Sequence, residues 1–139
     1  MTLLKKVMLV ILVIGYLLAG ANHFRAPESY IRIIPPYIPL PKLMNLLAGI
    51  FEILFGLLLI FKRTRILAAW GIILMLIAFL PVHIDMVIRA PFQLGELHVT
   101  PLIAWIRLVV LQPLLIWWAW WYTNQTNRCV ISTRNEEKP

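Results

Sequence analysis

Four apolar runs, each about as long as a bilayer is thick, dominate this chain. They extend over Val7–Phe24, Leu43–Phe61, Ile66–Ile88 and Val99–Tyr122. A helix needs about 20 apolar residues to cross a hydrocarbon core. In lipid, backbone groups must pair within their own segment, so all four are expected to be helices. With 61% hydrophobic and 14% charged residues among 139, and a mean hydropathy of +0.84, the chain lies far from soluble composition. The loop Lys62-Arg63-Thr64-Arg65 is so short that spans two and three must be antiparallel neighbours. The expected fold is an all-α integral membrane antiparallel four-helix bundle with a Pro-rich outer loop. Residues 1–123 would form one four-span domain and residues 124–139 a polar cytoplasmic tail.

The net charge of +7 does not point to nucleic acid, because the basic residues sit at the ends of apolar runs rather than in one patch. They read as topology signals and contacts to anionic lipid headgroups. Lys5, Lys6, Lys62, Arg63, Arg65, Arg128, Arg134 and Lys138 fall on one side, and Arg25, Arg32, Lys42 and Arg89 on the other. The positive-inside rule then places both termini in the cytoplasm of a plasma (inner) membrane protein. Lys5-Lys6 followed by an apolar stretch and Ala19-Gly20-Ala21 also matches a secretory signal. A retained helix is expected instead, since removal would take Asn22 and His23 from the bundle edge.

Two charges interrupt the apolar runs. Glu52 is alone in span two and Arg107 lies inside span four. Each costs roughly 2.5–3.5 kcal/mol at a helix centre unless it meets a partner or water. At about 1.5 Å per residue, Glu52 lies roughly 15 Å and Arg107 roughly 12 Å below the outer ends of their spans. The two can therefore meet, either as an ion pair that fixes helix register or as a ligand or proton site. His23, His83 and Asp85 are shallower and would stand at the bundle mouth, with Asn22 and Gln112 as interhelical hydrogen-bond formers. His83 and Asp85 point to different helix faces, and no tight ligand spacing supports a metal. Cys129 has no second thiol, which excludes an internal dithiol cycle.

Small residues mark close packing. Gly49, Glu52 and Gly56 share one helix face, and Gly15, Ala19 and Asn22 or His23 make a similar stripe in span one. Span three offers Gly71, Ala78 and Asp85, with Pro81 expected to bend its outer end. Trp117, Trp118, Trp120, Trp121 and Tyr122 read as an interfacial aromatic belt. Asn124-Gln125-Thr126 matches a glycosylation acceptor but would face the cytoplasm. The first outer loop carries Pro27, Pro35, Pro36, Pro39 and Pro41, half of the 10 prolines, interleaved with Tyr30, Ile33, Ile34, Tyr37 and Ile38. It is expected to lie over the bundle mouth as a lid, with Tyr30, Pro35, Pro36 and Tyr37 as its residues, or in the headgroup layer as an anchor.

Three stretches resemble the DoxX-like family of small four-helix membrane proteins. They are Gly20-Ala21-Asn22-His23-Phe24 with Ile34-Pro35-Pro36-Tyr37-Ile38-Pro39, then Gly49-Ile50-Phe51-Glu52-Ile53 with Gly56, then Ala68-Ala69-Trp70-Gly71 with Phe79-Leu80-Pro81. His83 departs from the small polar residue associated with its place. The resemblance implies a four-helix membrane fold, a polar site at His23 and Glu52, and roles ranging from a thiosulfate:quinone oxidoreductase subunit to assembly of other membrane proteins. The leading expectation is a non-enzymatic binding or assembly protein that engages a lipid, a quinone or a partner transmembrane helix. The alternatives are a membrane subunit of a quinone-linked oxidoreductase and a small proton-coupled exporter. No resident cofactor is expected, with a quinone the one candidate. Partners would be membrane lipids, a membrane protein or redox complex, or further copies of the chain in a homo-oligomer.

Overall fold

The computed structural model describes residues 1–124. The expected tail, with Cys129 and most of the Asn124–Thr126 pattern, lies outside the described residues. The described chain is mostly helical. Four helices are long and apolar enough to cross a membrane: Leu3–Arg25, Pro41–Ile60, Arg65–Arg89 and Pro101–Trp120. In no span is more than 33% of the apolar window buried by protein. Much of the remainder is exposed apolar side chain, such as Ile14, Leu74 and Trp105. A helix apolar around its whole circumference is covered by lipid.

Helix α1 (Leu3–Arg25) opens on Thr2, whose side chain accepts from the Lys5 amide at 3.3 Å. The short helix α2 (Pro27–Ile33) follows, begun by Pro27, whose missing N–H has no helical partner to lose. Span two is α3 (Pro41–Ile60). Its last carbonyls, those of Leu59 and Ile60, accept from the buried Arg65 guanidinium at 2.8 and 3.0 Å, and Leu58 accepts from Thr64. This satisfies groups that a helix end leaves orphaned and lets the chain reverse within Phe61–Thr64.

Span three divides into α4 (Arg65–Ala78) and α5 (Leu80–Arg89). Pro81 has no N–H to give the Ile77 carbonyl, so the helix breaks at Phe79. A hairpin follows that the sequence reading did not anticipate. Strands β1 (Phe92–Leu94) and β2 (Leu97–Val99) pair antiparallel around Gly95-Glu96, with Gly95 at φ +60°. Glycine first in a two-residue turn is the usual hairpin signal. Val99, expected to begin span four, belongs to this hairpin instead.

Span four is also divided, into α6 (Pro101–Ile106), a π-helical segment (Arg107–Leu111) and α7 (Gln112–Trp120). Pro113 cannot donate to the carbonyl four residues back, and the wider π turn accommodates that gap. The Gln112 amide donates to the Arg107 carbonyl, five residues back.

Contacts run from α1 to α3, from α3 to α4 and from α4 to α7. Tyr122 adds a link from span four to span one by donating its hydroxyl to the Lys5 carbonyl at 2.9 Å. Tyr122 is fully buried and so is not part of the expected belt, while Trp117 and Trp120 remain exposed. One apolar cluster, including Leu12, Leu59, Ile72, Leu76 and Ala119, fills the end nearer the termini. A smaller one, Met86, Val99 and Ala104, fills the end carrying the two long loops.

Candidate functional site

The site grows from a single face of α3. Asn45, Gly49, Glu52 and Gly56 are spaced four, three and four apart, and all four are buried. Residues so spaced line one side of a helix. That side meets α1 at backbone distance. A Cβ on Gly49 would stand 2.8 Å from the His23 Cβ and 3.2 Å from the Gly20 carbonyl oxygen. One on Gly20 would stand 2.6 Å from the Ile53 side chain and 2.9 Å from the Gly49 oxygen. Gly15 faces open space, so the α1 contact runs through Gly20 rather than the expected Gly15 stripe.

The close approach presses His23 onto α3. Its Nδ1 lies 2.7 Å from the Asn45 Oδ1, and the Asn45 Nδ2 donates back to the His23 carbonyl at 3.2 Å. The second bond orients the amide, so Oδ1 faces the ring and Nδ1 must donate. His23 Nε2 then faces Glu52 Oε2 at 3.4 Å. With Nδ1 carrying a hydrogen, that contact is attractive only if one proton lies between ring and carboxyl group. The Tyr30 ring stacks on His23 at 3.8 Å, and its hydroxyl accepts from Asn22 Nδ2 at 2.8 Å.

The expected ion pair between Glu52 and Arg107 is not formed. Glu52 takes His23 as its partner, because α1 is the helix that the α3 glycines admit. Arg107 Nη1 instead donates to Gln112 Oε1 at 3.1 Å. Residues five apart point about 140° apart on an α-helix, whereas a π turn brings them to one side. The Gln112 amide in turn donates to the Leu76 carbonyl, one of the last four of α4. Gln112 thus links spans three and four and holds the guanidinium in place.

Glu52 and Arg107 nevertheless face one cavity of about 510 Å³. Its polar lining is His23, Tyr30, Asn45, Glu52, His83 and Arg107, and its walls are apolar, among them Phe55, Met75, Phe79 and Val82. Of its buried polar atoms, Glu52 Oε2 has only the 3.4 Å ion pair with His23, and His83 Nδ1 has no partner. Glu52 and His83 are each 7% exposed. The lining residues Leu47 and Phe51 of α3 and Leu74 of α4 are exposed, so the cavity is flanked by exposed apolar side chains of both helices.

The remaining expected residues are placed elsewhere. Asp85 is outside the lining; its Oδ2 lies 2.6 Å from Arg89 Nε. Arg89 donates to the Arg32 and Ile33 carbonyls at 3.3 and 3.0 Å, which fastens the end of α2 to α5. The proline-rich segment covers the cavity with Tyr30, Ile33, Ile34 and Ile38. Pro35 is buried beneath it, and Pro36 and Tyr37 turn outward. Asn45 was not among the residues expected at the site. Its signal was the spacing, four residues before Gly49 and seven before Glu52. Among the described residues no three His, Cys, Asp or Glu side chains are grouped to hold a metal.

Four helices long and apolar enough to cross a membrane, with an amphiphilic pocket among them, define the class as a membrane protein. Residues 12–123 match the family Domain of unknown function (DUF8561), and the chain belongs to it. No curated protein and no solved structure matches the chain.

Proposed function

We propose that this chain is a non-enzymatic binding or assembly protein of the plasma (inner) membrane. Its cavity would engage a lipid, a quinone or a side chain from a partner transmembrane helix. The observation that carries this reading is the buried His83 Nδ1, which has no partner, in a cavity that sets Glu52, His23 and Arg107 among apolar walls. A buried acceptor or donor left unmade costs about 1–3 kcal/mol, a penalty that a ligand head would remove. The likeness of the segments around His23 and Glu52 to DoxX-like proteins supports a site on these residues. A redox subunit would use the same cavity for a quinone, and copurification of a redox partner separates the two roles.

Purification in several mild detergents followed by mass spectrometry of the extract tests the proposal. Wild type is expected to retain a membrane-soluble molecule or a partner protein, and Ala48→Trp, which fills the cavity, to lose it about tenfold. Equal retention by both proteins, or none by either, overturns it.

The four spans are proposed to form an antiparallel bundle with both termini in the cytoplasm. The charge asymmetry supports this orientation. It would put His83 and Arg107 in the outer half of the bilayer and Glu52 near its middle. In a protein lacking Cys129, a cysteine at Gly95 is expected to react with an impermeant maleimide on intact cells, and one at Thr64 only after permeabilisation. The opposite pattern would invert the topology.

A further inference from the structure

We propose that the cavity takes a single-chain anionic amphiphile from the bilayer, its head on Arg107 and its chain leaving between α3 and α4. This rests on the reading of the cavity as a ligand site and adds the chemistry of the ligand. The charges around the cavity do not balance. His23 Nε2 faces Glu52 Oε2 as an ion pair at 3.4 Å, and with Nδ1 committed to Asn45 that pair is neutral overall. Asp85 is matched by Arg89 and lies outside the lining. Arg107 is the remaining charge, and among the described residues no carboxylate makes an ion pair with it. Its one hydrogen-bond acceptor, Gln112 Oε1, is neutral. Protonation of His83 would only add to the positive balance.

A guanidinium carries five N–H donors, so most of those on Arg107 are left for a ligand. Carboxylate and phosphate oxygens are their best acceptors, and the surrounding low dielectric strengthens that bond. Membrane charges without a partner are functional by default. The walls specify the rest of the molecule. Ile33, Ile34 and Ile38 close the end under the first loop, whereas Leu47, Phe51 and Leu74 leave the side toward hydrocarbon open. A volume of about 510 Å³ suits one drug-sized molecule and hence one chain rather than two.

The full-length protein in phosphatidylcholine nanodiscs is titrated with oleate, oleyl phosphate, oleyl alcohol and oleylamine, and bound probe is counted by native mass spectrometry. The measurement is made at a pH where oleate is ionised. Oleate or oleyl phosphate is expected to bind one per chain, about ten- to hundredfold tighter than the alcohol or the amine, the size of a charge-assisted hydrogen bond. Which of the two acids binds tighter distinguishes a fatty-acid carboxylate from a phosphate head. Arg107→Gln is expected to bring the acids to the level of the alcohol. Arg107→Lys, which keeps the charge, should retain most of the preference and show that the loss is not one of folding. Equal binding of acid and alcohol by wild type, or an undiminished preference in Arg107→Gln, overturns the anionic assignment while leaving a ligand cavity. Saturable binding of none of the four removes the ligand-site reading as well.

Discussion

Gly49→Val is expected to lower the stability of the detergent-solubilised protein by about 3 kcal/mol, on the order of 10 °C in Tm. The reason is geometric. The new Cβ would stand 2.8 Å from the His23 Cβ, 3.0 Å from the Phe24 ring and 3.2 Å from the Gly20 carbonyl oxygen. The backbone oxygen cannot swing aside as a flexible side chain can, so α1 must retreat along its contact with α3. Membrane helices pack through such small-residue seams because lipid supplies no hydrophobic drive between them. As α1 retreats, His23 leaves Glu52, and the site should fail with the fold. Gly15→Ala is the matched control, since a Cβ there meets nothing within 4 Å. Thermal unfolding of the two variants beside wild type checks the argument. A Gly49→Val protein as stable as Gly15→Ala would show that the two backbones do not meet as described.

Asn45→Ala is expected to cost about 2–4 kcal/mol, although it removes only a small side chain. Two buried groups on His23 would lose their partners together: Nδ1–H, now 2.7 Å from Oδ1, and the backbone carbonyl, now 3.2 Å from Nδ2. That carbonyl is among the last four of α1, which no helical amide can satisfy. Asn45→Asp restores an acceptor for Nδ1 but no donor for the carbonyl, so its loss should be intermediate. Thermal unfolding and ligand retention should move together, because a ring freed from Asn45 no longer presents Nε2 to Glu52. An Asn45→Ala protein with unchanged Tm and unchanged retention would show that the amide does not hold the ring.

The partnership of His23 with Glu52, in place of Arg107, illustrates how far residue types carry an argument. Depth along the helices favoured Arg107, since His23 stands shallower, two residues from the end of α1. The choice fell to backbone contact. Gly20 and Gly49 let α1 approach α3 closely enough to seat the ring, whereas span four meets α4 and reaches the cavity only through the Arg107 side chain. The same limit applies to Asp85. Its position near the mouth suggested a ligand group, yet Arg89 one turn later captures it and uses the resulting pair to hold α2. Asn45 was overlooked because a lone amide near a span's end carries no cost that demands explanation, unlike a charge.

The π-helical segment and the hairpin were not anticipated. Pro113 withholds an amide from span four, and Gly95-Glu96 allows a turn, but neither residue says what replaces the regular structure. Four apolar runs and the residues that interrupt them were determined along the chain, because the expense of leaving a polar group in lipid is local to each residue. Which of those interrupting residues meet was decided by packing between spans, because hydrogen bonds and glycine seams act over a few ångströms and linear order does not encode such distances.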